Sequence, residues 1–147
     1  MKMILGALAD YASDAGRGKL TLVGVFDTIF AMTDARPIPF PQATAVVVVS
    51  ASIVEGSDHR VTLSFEDADG QNLGQLDLPL LFTTRGPGYP QRAQLLINLG
   101  QFAVPDLGDY LIRVRVEGHI IGEIPFYIVD APPHLKQQAQ SLQPPKS

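Results

Sequence analysis

The turn Phe65-Glu66-Asp67-Ala68-Asp69-Gly70 carries three carboxylates within four positions, the densest set of chemically able side chains in the sequence. Such a run could hold calcium if it matched a calcium loop, which needs carboxylates at its first and twelfth positions around an obligatory glycine. Aligning Gly70 with that glycine makes Asp67 and Asp69 ligands but puts Phe65 and Leu76 where the first and last carboxylates belong. The stretch therefore reads as a hairpin turn closed by Asp69-Gly70, where glycine tolerates positive φ at little cost. Glu66 and Asp67 adjoin that turn, so both are expected to be exposed. His59, His119 and His134 fall in a turn, a turn and the C-terminal tail, with no H-x-H or H-x-x-x-H pair on a regular element. No serine stands in G-x-S-x-G, and there is no cysteine. No G-x-G-x-x-G opens a helix and no phosphate-cradling P-loop is present. A pair of distant carboxylates of the glycosidase type has nothing to recommend it, and tryptophan, a frequent sugar platform, is absent. No catalytic residue, metal ligand or cofactor is assigned, and the chain is expected not to be an enzyme.

Two features point to recognition instead. The loop Arg85-Gly86-Pro87-Gly88-Tyr89-Pro90-Gln91-Arg92 reads first as a solvated loop, yet it offers Arg85, Tyr89 and Arg92, residue types favoured in binding hot spots, on the most turn-like stretch of the chain. Asp27 interrupts the apolar run VGVFDTIF, where an unpaired carboxylate would be costly to bury. It reads as a strand end or bulge that reaches solvent or caps a backbone group, or, more sharply, as a buried partner of a residue such as Arg36 or a group in a cleft.

The elements that must position these residues are strands. The 147 residues amount to about one domain, with 46% hydrophobic and only 18% charged residues, so more surface than usual must be covered by the fold or a partner. The formal charge of −4, with scattered Lys and Arg, argues against nucleic-acid binding and against anionic membranes. The longest apolar run, 43–54, is 12 residues, short of the roughly 20 a spanning helix needs. MKMILGALA mimics a leader with an A-x-A site but is only nine residues, against roughly 15–30 in such peptides. It reads as a first strand, which points to the cytoplasm.

Strands are expected over 2–9, 19–31, 43–54, 59–68, 73–82, 92–102, 110–116 and 120–129, with 10–18 as a polar loop and Pro37, Pro39 and Pro41 marking an extended crossover. Gly24 marks a bulge or a close backbone approach. The run ATAVVVVSASIV does not alternate, so both its faces must be covered. Residues 1–130 then form one all-β domain, an antiparallel β-sandwich of about eight strands, with a closed barrel as the alternative. Residues 131–147 form a Pro/Gln-rich tail, mostly disordered, with a short helix over 134–142.

Asp106-x-Gly108-x-Tyr110 resembles the tyrosine corner of immunoglobulin-like Greek-key sandwiches, in which a Tyr hydroxyl turns back to the chain just upstream. Ile112 stands where antibody domains place their second cysteine. A second resemblance covers most of residues 1–130. The strand ending in ADYA, GKLTLVGVFDTIF, the Pro-Phe-Pro crossover, the FEDADGQ hairpin and GDYLIRVRVEGHIIGEIPFYIV are similar to a family of small bacterial β-sandwich proteins of unknown function. That resemblance implies the fold and a bacterial origin, and no activity.

The function expected is a non-enzymatic interaction module that recognises a protein partner by loops or a sheet face. A homodimer is the simplest partner, seated on the valine strand if nothing else covers its second face. The alternatives are a small-molecule or carbohydrate binder with a cavity between the sheets and an accessory subunit of a phage-like or secreted assembly.

Overall fold

In the computed structural model, which describes residues 1–16, 18–56 and 58–142, the run 19–31 is not one strand but two. Asp27 cuts it into β2 (Leu20–Phe26) and β3 (Thr28–Ala31), which serve different sheets. The expected loop over 10–18 is also largely strand, because β1 runs from Lys2 to Asp14. Its polar second half pairs with β2, Tyr11 opposite Val23 and Ser13 opposite Thr21. Hairpin pairing needs only backbone groups, so a polar strand half is no obstacle to it.

The remaining strands are β4 (Ile38–Pro39), β5 (Thr44–Ala51), β6 (Asp58–Asp67), β7 (Asn72–Leu81), β8 (Gln91–Asn98), β9 (Ala103–Val104), β10 (Gly108–Val116) and β11 (His119–Asp130). Among the described residues, eight of eleven strands are seven residues or longer; β3, β4 and β9 are the short ones. One sheet has the order β2-β1-β5-β8 and the other β3-β11-β10-β6-β7, with β4 and β9 forming a small pair of their own. Among the described residues, every strand pairing is antiparallel except β3 with β11. The result is an all-β, sandwich-like fold. At one edge the chain passes between sheets at Asp27; at the other, Thr83 beyond β7 bridges Arg92 of β8.

Alternation sorts the side chains. Leu8, Val47 and Val49 of the first sheet meet Leu63, Ile112, Val114 and Phe126 of the second in one buried core. Phe126 sits at its centre, fully buried, stacked on Tyr110 at 5.4 Å and edge-on to Phe40 at 5.3 Å. Glu117 (φ 51) and Gly118 (φ 80) form the two-residue turn between β10 and β11, the positive-φ geometry that matches strand twist. The tail contains α1 (Pro133–Ser141), where a short helix was expected, with an ion pair of 2.9 Å between Lys136 and Asp130; residues 143–147 lie outside the described residues. Among the described residues, no helix is long and apolar enough to cross a membrane.

The valine strand is covered on both faces, as its sequence requires. Val46 and Val48 point away from the core yet are 0% and 3% exposed. Their cover comes from the same chain. The β1–β2 hairpin doubles back over the outer face of the first sheet, and at its tip the Gly18 carbonyl accepts a hydrogen bond from Gln94 Nε2 of β8 at 3.3 Å. Leu20 of the hairpin faces Leu5 and Val48 across one cleft. Gly24 permits this path: it has φ 68, and the Asp10 side chain occupies the space a Cβ would need. A bulge or a close backbone approach was expected there; what lies against Gly24 is the Asp10 side chain.

Candidate functional site

The corner residues come together locally. Gly108 (φ 149) opens β10, and the Tyr110 hydroxyl donates to the Asp106 carbonyl at 2.6 Å. Asp106 Oδ1 accepts from the Leu107 N–H at 2.7 Å and from Arg36 Nε at 2.9 Å, tying the corner to the proline crossover. These bonds, the Leu107 N–H first and Arg36 second, lower the Asp106 carboxyl below its ordinary value. A depressed carboxylate adds stability that is full above its unfolded value of 3.8 and lost as pH falls through the lower folded one. Asp106→Asn should therefore lower the unfolding midpoint at pH 7 and converge with the parent in acid, read by urea melts at both pH values. Tyr110→Phe removes a bonded hydroxyl from a half-enclosed site and should cost about 1 kcal/mol; an unchanged urea midpoint would contradict the bond's role.

Arg36 is thus the partner of Asp106, not of Asp27. Asp27 is exposed at the strand end and accepts the Thr28 hydroxyl at 2.9 Å, while its carbonyl accepts the Tyr127 N–H at 2.8 Å. Its work is at the crossing between sheets.

Arg85 and Arg92, seven positions apart, do converge. They line one cleft of about 450 Å³ with Thr83, Gln94 and Leu81, and its opposite wall is the hairpin, at Asp14 and Gly18. Arg92 is half-buried on β8 and Arg85 exposed on the loop. Among the described residues neither has a carboxylate within ion-pair distance; Asp14 spends Oδ1 on the Gly16 N–H at 2.9 Å. Tyr89 does not line this cleft. It stands 62% exposed on the same loop.

Sequence reasoning missed the outer face of the second sheet. Glu66, expected to be exposed beside its turn, is 6% exposed. A register shift between Phe65 and Glu66 displaces it, and β10 brings Arg113 against it, Nη1 to Oε1 at 3.0 Å. Arg113 also reaches Glu123 at 3.2 Å, and Arg115 bonds the buried Ser64 hydroxyl at 3.0 Å. Glu66 Oε2 is left without a hydrogen bond, with Arg115 Nη1 at 3.9 Å. The alternation of Arg113 and Arg115 put them on one outward face, but their partners 47 and 51 positions away were not legible. Asp67 accepts the Asp69 and Gln71 N–H groups, the work of a turn.

At the opposite end of the sandwich, His59 and His119 line a cleft with Glu55 and Glu117. His59 Nε2 lies 2.7 Å from the Glu55 carbonyl, and Nδ1 lies 3.4 Å from Glu117. The Met1 ammonium, 2.7 Å from Glu55, together with the Ser52 N–H, holds that carboxyl down at about 2. His134 lies apart, on α1.

Fold and surface thus define an all-β sandwich-like protein with an arginine-lined cleft between a folded-back hairpin and a loop. The chain belongs to the family of unknown function DUF6941, whose model matches residues 5–129. No curated protein matches the sequence.

Proposed function

We propose that this protein is a non-enzymatic interaction module built on an immunoglobulin-like Greek-key sandwich. It recognises its partner at the end where the hairpin tip meets the loop 83–92. The observation that carries this reading is the convergence of Arg85 and Arg92 in one cleft with no carboxylate paired to either among the described residues. One half-buried and one exposed arginine, neither paired with a carboxylate among the described residues, are a ready complement to an acidic group. The immunoglobulin likeness is supported by the Tyr110 hydroxyl bond to the chain four residues upstream and by Ile112, fully buried two residues on.

The valine strand finds its cover within its own chain, so the case for a homodimer no longer rests on that strand. The bacterial cytoplasm remains the proposed compartment. The direct test is photo-crosslinking in cells, with a crosslinking residue at Tyr89 and, as control, at Gln75 on β7. Discrete adducts from position 89 that fade in Arg85→Gln/Arg92→Gln are expected. Adducts from position 75 alone, or adducts indifferent to the arginines, would overturn the reading.

A further inference from the structure

A second cleft, of about 230 Å³, adjoins the first and shares Gly18, Arg92 and Gln94 with it. Its own lining is aliphatic: Ile4, Leu5, Leu20 and Val48. The two are partitioned by the bond from Gln94 Nε2 to the Gly18 carbonyl, which at 3.3 Å is long for its kind. An apolar chamber therefore opens beside a cationic mouth, under a hairpin held to β8 by that bond.

Resting on the recognition reading above, we infer that the two clefts form one amphipathic site for a carboxylate carried on a short aliphatic group. Among the described residues that line the mouth, two cationic side chains, Arg85 and Arg92, stand against one acidic side chain, Asp14, so an anionic group is favoured there. The guanidinium fork fits the two oxygens of a carboxylate. The aliphatic chamber, about 230 Å³ and open to solvent, seats the apolar part of such a ligand against Ile4, Leu5, Leu20 and Val48. Ile4 also has a use here. It is the extra residue of the β1 bulge, where the register shifts between Met3 and Leu5, and the bulge puts it at the chamber rather than in the core.

The same chemistry can arrive as a free aliphatic acid or as the C-terminus of a peptide ending in an aliphatic residue. The test is an NMR titration of the full chain with octanoate, octan-1-ol, a peptide ending in free leucine, and that peptide amidated. Saturable amide shifts at Gly18, Leu20 and Gln94 are expected from at least one carboxylate. The matched neutral compound should bind about tenfold or more weakly, and Arg85→Gln/Arg92→Gln should weaken the carboxylate as much while keeping its melting temperature. Octanoate binding alone identifies a free acid; binding of the free-leucine peptide alone identifies a chain terminus. Silence with both carboxylates, or equal binding by the neutral compounds or by the double variant, overturns the inference. If the arginine-dependent crosslinks at position 89 persist in that case, the recognition surface stands and only its ligand class is wrong.

Discussion

Phe126→Ala should lower the unfolding free energy by about 3–5 kcal/mol, enough to remove a large part of the stability of a domain this size. Phe126 is fully buried and joins three parts of the chain: its own strand β11, the corner at Tyr110 and the proline crossover at Phe40. Truncation leaves a cavity that cannot collapse readily, because Tyr110 is pinned by its bond to Asp106 and Phe40 by its N–H bond to the Phe102 carbonyl at 2.8 Å. Phe126→Leu keeps most of the volume and should cost less than half as much. Urea melts of the two variants check the order; near-equal midpoints for Phe126→Ala and the parent would mean that this is not the centre of the core.

Arg113→Ala is expected to cost about 3 kcal/mol although it lies on an outer sheet face, where most substitutions are nearly neutral. The reason is Glu66. Its side chain is 8% exposed, and one of its oxygens already lacks a hydrogen bond. Removing Arg113 takes away the bond at 3.0 Å on the other oxygen and leaves a charge buried beside Arg115, which is 3.9 Å away from the nearer oxygen. Replacing the pair together, Glu66→Leu with Arg113→Met, should be much milder than Arg113→Ala alone, because no uncompensated charge remains. A double-mutant cycle by urea denaturation measures this. A coupling near zero, with Arg113→Ala within about 0.5 kcal/mol of the parent, would show the pair to be an ordinary surface contact.

The parts of this molecule that were legible in the sequence are those set by nearby residues. The bond of the Tyr110 hydroxyl to the Asp106 carbonyl joins residues only four apart, so nearby sequence sufficed to suggest it. The valine strand had to be covered on both faces because five consecutive apolar residues leave no face for water. What covers it was not legible, since the return of the hairpin depends on a positive φ at Gly24 and on a bond from Gly18 to a residue 76 positions away. The arginines of the loop could be picked out by type, but Asp14 and Gly18 opposite them could not, because 10–18 looked like a loop directed at solvent. Glu66 went wrong for the same reason: beside a turn a carboxylate is exposed by default, and only the pairing of β6 with β10 buries it.

The cleft between hairpin and loop is tested most directly by native mass spectrometry of the gently purified chain, parent against Arg85→Gln/Arg92→Gln, over a range of concentrations. The parent should carry an added mass, a small acid or a partner chain, that the double variant loses while keeping its fold. A bare parent at every concentration, or a bound mass that the variant retains, would contradict recognition through this cleft.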